Sequence, residues 1–180
     1  MLTASPRRFQ RGFTLVELMT AVVVLGVLLT LGLPAMQTFI QNAKFRGTAE
    51  SIQNGLQLAR NEAARRNARV QFQLSADGAW TVRAVDATGA ALETIQQRSK
   101  GEGSDGVALT LTPTTVSSIT FTAFGRPAAQ FADNTAIINL TRIDIANADA
   151  TKQFRIDISS AGQVRMCDPA ITATDDPRKC

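Results

Sequence analysis

Residues 11–36 read RGFTLVELMTAVVVLGVLLTLGLPAM. From Phe13 to Met36 the run holds one charge, Glu17, and Arg7, Arg8 and Arg11 stand just ahead of it. Leu18 to Met36 is 19 residues, about 28 Å as a helix and close to the ~30 Å hydrocarbon core of a bilayer. Arginines on the N-terminal flank predict a cytoplasmic amino end and an exported carboxyl part. An ordinary secretory signal places a small-residue cleavage site after its apolar stretch. Here none follows, and the small residue that stands out, Gly12, comes first. A carboxylate such as Glu17 costs about a few kcal/mol at depth in lipid, less near the interface, and calls for a partner.

The ordered set Gly12, Phe13, Glu17 and Pro34 resembles the class III signal of type IV pilins and type II secretion pseudopilins, without a gap from Arg11 to Pro34. The resemblance implies that prepilin peptidase cuts after Gly12, that Phe13 is then methylated, and that the apolar helix stays on the protein. It implies that Glu17 meets the charged amino terminus of a neighbouring subunit as helices stack into a filament. Gly26 and Pro34 would soften a soluble helix. A membrane helix tolerates them, and in this family such flexibility goes with packing at the filament core. A plain anchor with a snorkelling acid is the bland alternative.

The remainder supports one further domain. Without its first 36 residues the chain keeps 144, enough for one hydrophobic core. The formal charge of +4 invites a nucleic-acid reading, but residues 1–12 carry three of the 19 Lys+Arg and none of the 15 Asp+Glu. The chain from Phe13 is therefore near neutral, and anion binding would need a local patch. There is no histidine, which removes the commonest general base and transition-metal ligand. The two cysteines, Cys167 and Cys180, lie close together at the end. In an exported domain that spacing suggests a disulfide rather than a metal site, with free or intermolecular thiols as the alternative.

Helical spacing continues after Pro34. Over Gln37 to Asn67, Phe45, Ala49, Ile52, Leu56, Ala59 and Ala63 recur at steps of three and four, giving one apolar stripe. Glu62 can pair with Arg65 and Arg66 on the exposed side. Strand patterns follow. Val70, Phe72 and Leu74 alternate, Asp77-Gly78 makes a turn, and Trp80, Val82 and Ala84 alternate again, which predicts a hairpin. Further strands are expected at Val107–Thr112, Ser118–Phe124, Ala136–Ile145, Gln153–Ile158 and, after the Ala161-Gly162 turn, Gln163–Cys167. Ser99–Gly106 is polar and glycine-rich and reads as a loop. No internal repeat is evident. The fold expected is α+β, a long N-terminal helix packed on an antiparallel sheet.

Three later pieces narrow the resemblance. LQLARNEAARRN (56–67), ITFTAFGRP (119–127) and SSAGQVRMC (159–167) resemble the GspH/FimT branch of minor pilins and pseudopilins. That likeness divides the chain into a leader (1–12), a transmembrane and filament-core helix (13–36), an amphipathic helix (37–68) and a periplasmic β-rich head (69–180). The last of these ends in a 167–180 loop similar to the C-terminal disulfide loop of type IVa pilins, which serves adhesion and subunit contacts. As a disulfide the loop is worth about 3 kcal/mol by chain entropy. A FimT-like signature before the cysteine would read Gly-Arg-x-Arg. Here only Gly162 and Arg165 of that pattern are present, so the motif does not by itself carry DNA binding.

Other motifs weigh less. Gly101 to Gly106 formally matches GxGxxG, but no strand precedes it and no helix follows, so it reads as a flexible loop. Asp168, Asp175 and Asp176 lack regular calcium-ligand spacing. Arg155, Arg165, Arg178 and Lys179 could gather into a phosphate-binding patch with salt-dependent affinity. Alternation turns Arg155 away from Phe154 and Ile156 to solvent, though Asp157, Asp168, Asp175 and Asp176 would blunt the field. No nucleophile has an adjacent base, so no enzyme activity, cofactor or metal is expected.

The function implied is that of a minor pilin that enters or primes a type IV pilus. A DNA-binding minor pilin for DNA uptake and a type II secretion pseudopilin are the alternatives. Its partners would be other major and minor pilins, prepilin peptidase, the inner-membrane assembly platform, the membrane itself and, in the uptake reading, DNA. Its location would be the inner membrane with a periplasmic head, and the filament after assembly.

Overall fold

The computed structural model describes residues 12–100, 106–147 and 152–180; for residues 31–35 and 38 it describes the backbone alone. The leader arginines and residues 101–105 of the glycine-rich loop thus lie outside the described residues. The chain forms two compact units, Met1–Ile40 and Gln41–Cys180.

One helix, α1 (Leu15–Arg66), contributes to both units and runs through position 34 without a break. It ends where Asn67 takes a left-handed φ of 48° and Ala68 N–H returns to the Ala63 carbonyl, the usual device for closing a helix on asparagine or glycine. In the second unit all six residues of the expected stripe are buried, with Ala49, Ile52, Leu56, Ala59 and Ala63 fully enclosed. Burying Ile52 and Leu56 contributes about 1.5–3 kcal/mol each. Glu62 pairs with Arg65 at 2.6 Å and with Arg66 at 2.8 Å on the outer side, and Arg66 also reaches Glu93.

Eight strands follow: β1 (Arg69–Leu74), β2 (Trp80–Val85), β3 (Ala91–Arg98), β4 (Val107–Thr112), β5 (Ser118–Phe121), β6 (Arg142–Asn147), β7 (Gln153–Ile158) and β8 (Val164–Cys167). They form two antiparallel sheets where one was expected, ordered β3-β2-β1-β5 and β4-β6-β7-β8. The β1–β2 hairpin turns at Gly78, φ 81°, and its register sets Phe72 against Val82 and Leu74 against Trp80. Those side chains share a core with the helix stripe and with Ile143, Ile145 and Ile156 of the second sheet. Trp80 keeps its polar end satisfied, its Nε1 donating to Ser51 Oγ at 3.0 Å.

Three strands differ from the sequence reading by more than one residue, each for a local reason. β3 carried no signal because, as an edge strand, it is exposed on both faces and has no apolar alternation. β5 stops at Phe121 because Thr122–Gly125 turns, with Gly125 at φ 70°. The stretch Ala136–Thr141 is irregular, and β6 starts only at Arg142. There Asn139 substitutes its side chain for a ladder, Oδ1 accepting from Thr120 N–H at 2.9 Å and Nδ2 donating to the Ala128 carbonyl at 2.7 Å.

Candidate functional site

Two surfaces carry the residues singled out by sequence, one in each unit. In the first, α1 begins at a cap. The Thr14 hydroxyl accepts the Glu17 N–H at 3.2 Å, the first half of a Thr-x-x-Glu capping box. Glu17 sits in the first turn, where a carboxylate complements the positive helix end. Its side chain is exposed and has no partner among the described residues. Phe13 is 85% exposed, and a Cβ on Gly12 would meet nothing within 4 Å among the described residues. Beyond the cap, Leu15, Val16, Leu18, Val22, Val23 and Leu28 are each at least 60% exposed. A helix apolar on every side finds cover only in a protein core or in lipid. Among the described residues no helix is long and apolar enough to cross a membrane. Residues 31–35, whose side chains are not described, fall inside the run that the sequence offers as a span.

The second surface is the outer face of the β4-β6-β7-β8 sheet. Cys167 and Cys180 form a disulfide with 5.0 Å between Cα atoms. The loop it closes is held along its length. Arg165 Nη2 donates to the Pro177 carbonyl at 3.1 Å and to the Lys179 carbonyl at 2.7 Å, and Asp168 N–H donates to the Arg178 carbonyl at 2.7 Å. Lys179 Nζ reaches the Thr172 carbonyl at 3.3 Å. Asp176 pairs with Arg178 at 2.7 Å. Hydrogen bonds from that guanidinium hold the Asp176 carboxyl at a pKa of about 2, below its ordinary 3.8.

Arg155 does not stand free in solvent as expected. It is half-buried and spends its charge on Asp144 at 2.7 Å. Two residues along the ladder, on the same face, Arg142 meets Asp157 at 3.0 Å. The reason is a repeated tetrapeptide that the sequence reading passed over. Arg-Ile-Asp-Ile stands at both 142–145 and 155–158, and antiparallel pairing sets Arg142 opposite Asp157 and Asp144 opposite Arg155. The isoleucines Ile143 and Ile156 pair on the buried face. Of the four cations proposed as a patch, Arg165 and Lys179 meet through the loop backbone, Arg178 is paired within the loop, and Arg155 lies in this alternating charge row.

Two cations that sequence reasoning missed, Arg46 and Lys152, line a cavity of about 410 Å³ together with Arg178. They come from the helix and from the residue just before β7, so no spacing in the sequence links them. Asp168 and Asp176 serve the loop itself, and no group of three or more potential metal-ligating side chains occurs among the described residues.

The Thr122–Gly125 turn and the Ser159–Gly162 turn meet. Arg60 Nε donates to the Gly125 carbonyl at 3.3 Å, and a Cβ built on Gly162 would overlap that same oxygen. These are the 119–127 and 159–167 pieces that drew the family resemblance, brought into contact by the fold.

Comparison with known proteins agrees with this architecture. The profile of the prokaryotic N-terminal methylation motif matches residues 7–33, and that of type II transport protein GspH matches residues 48–162. No curated protein matches the chain in sequence. Among solved structures, the minor pilin FimU of Pseudomonas aeruginosa superposes with a TM-score of 0.55 at 17% identity, over 76% of this chain and 97% of FimU. The minor pseudopilin EpsH of the type 2 secretion system of Vibrio cholerae gives 0.50 at 16% identity, over 71% of this chain and 99% of EpsH. At these identities the likeness is one of fold. The GspH profile covers more than half of the chain, with the methylation motif ahead of it: the chain belongs to the GspH family of pilin-like proteins.

Proposed function

We propose that the chain is a minor pilin, held in the inner membrane by residues 13–36 with a periplasmic head, and then drawn into a type IV pilus as a subunit or primer of assembly. The observation that carries this is the first part of α1, whose apolar residues from Leu15 to Leu29, with Met36, Phe39 and Ile40 beyond, are exposed in the single chain. Stacking against equivalent helices of other pilins would cover it. Prepilin peptidase would cut after Gly12, and the freed, methylated amine of one subunit would meet the unpartnered Glu17 of another. A cation held against that carboxylate away from water satisfies both charges and fixes one register, since a shifted helix would leave both unpaired. The disulfide loop, akin to that of type IVa pilins, favours the pilus over its rivals.

A second reading, a pseudopilin of type II secretion, draws support from the family description and from the fold shared with EpsH. The same helix chemistry serves both. Counting surface pili on a deletion strain with retraction disabled separates them. Near-absence of pili, restored by complementation, is expected. Normal piliation with retained exoproteins would favour secretion, and normal piliation with poor transformation would favour DNA uptake through Arg155, Arg165, Arg178 and Lys179.

A further inference from the structure

We infer that the cavity between α1, the start of β7 and the disulfide loop receives an acidic segment of a neighbouring filament subunit that carries an apolar side chain beside its carboxylate. This rests on the reading of the chain as a filament subunit. The cavity is about 410 Å³, with Phe154 and Met166 among its lining and the cations Arg46, Lys152 and Arg178 around it. Both apolar residues are only partly buried, packed against the core yet open to the cavity.

Charge decides the occupant. Among the described residues Asp168 is the one acid that lines the cavity, and its Oδ1 already accepts the Ala170 N–H at 2.9 Å. Arg46 and Arg178 have partners that do not line it, Glu50 and Asp176, in pairs whose arginines are 70% and 75% exposed. Such surface pairs hold weakly and can admit a second carboxylate. Lys152 has no ion pair among the described residues. An incoming carboxylate therefore finds one unspent ammonium and two guanidiniums, and an adjoining apolar side chain finds Phe154 and Met166. A polyphosphate backbone fits less well, since it brings no apolar side chain to meet Phe154 and Met166. Phe154 also has one ring face stacked on Phe45, centroids 5.0 Å apart, which narrows its use for stacking a base.

A photocrosslinking benzophenone residue in place of Gln153, at the rim, tests this in the full chain in its native cells. Sheared filaments are probed for the chain, and the crosslinked peptide is identified by mass spectrometry. The expected product joins this chain to another pilin-like subunit at a segment with Asp or Glu beside an apolar residue. Lys152→Glu should lower the yield per incorporated chain at least five-fold, and exchanging the partner's acid for lysine should restore it. A chain present in filaments with no crosslink, with a crosslink to lipid, nucleic acid or an acid-free segment, or with a yield unmoved by Lys152→Glu overturns the inference. Absence of the chain from intact filaments would instead overturn the filament reading, and the inference with it.

Discussion

Gly162 is packed against the carbonyl of Gly125 so closely that a single added carbon has no room. The contact joins the turn after β5 to the turn before β8, and Arg60 of α1 closes it from the helix side. Gly162 also takes φ +80°, a conformation that L side chains adopt at a cost of about 1–2 kcal/mol. Gly106 has the same φ but meets nothing within 4 Å among the described residues, so it serves as the control. In residues 41–180, which enclose their own core, Gly162→Ala should cost about 1–3 kcal/mol more than Gly106→Ala. Chemical denaturation of the two variants measures the difference, and equal losses would mean that the contact has no weight.

The charge row of β6 and β7 makes a second expectation. Arg155 and Asp144, about one-third exposed or less, face each other across the ladder. A double-mutant cycle with alanine should give a coupling of about 0.2–1 kcal/mol that shrinks as salt is added. No coupling would remove the ion pair from the account of how these strands find register.

Glu62 supplies a pH dependence. Hydrogen bonds from Arg65 and then Arg66 lower its pKa from 4.5 to about 2 in the folded head. Because the folded value lies below the unfolded one, the stabilisation is present above pH 4.5 and is lost as pH falls toward about 2. The melting temperature of residues 41–180 should exceed that of Glu62→Gln at neutral pH, and the gap should close through that window. A gap that is constant with pH would show the pairing to be absent in solution.

Glu17→Ala isolates the carboxylate from the cap. The Thr14 hydroxyl caps the backbone N–H of Glu17, so the helix start survives the substitution. Processing of the precursor should be normal, while recovery in sheared filaments should fall at least ten-fold. Undiminished recovery would leave Glu17 no part in subunit pairing.

What could be read from sequence followed how strongly burial patterns it. The stripe from Phe45 to Ala63 and the β1–β2 hairpin were plain, because each buries one face and exposes the other. Edge strand β3 buries little and left no such trace. Division into two sheets depends on β4 leaving the first sheet and β5 returning beside β1, a long-range choice that no local pattern encodes. The disulfide was readable from two late cysteines. The fate of the arginines was not, since partners such as Asp144 declare themselves only once register is known. Even so, the doubled Arg-Ile-Asp-Ile held that register in plain view.

The most direct measurement is the mass of the N-terminal peptide of this chain recovered from sheared filaments. The expected result is a peptide that begins at Phe13 and carries a methyl group on its amine. A chain that retains residues 1–12, or that is missing from intact filaments of cells that express it, would contradict the assignment of Gly12, Phe13 and Glu17 to filament assembly.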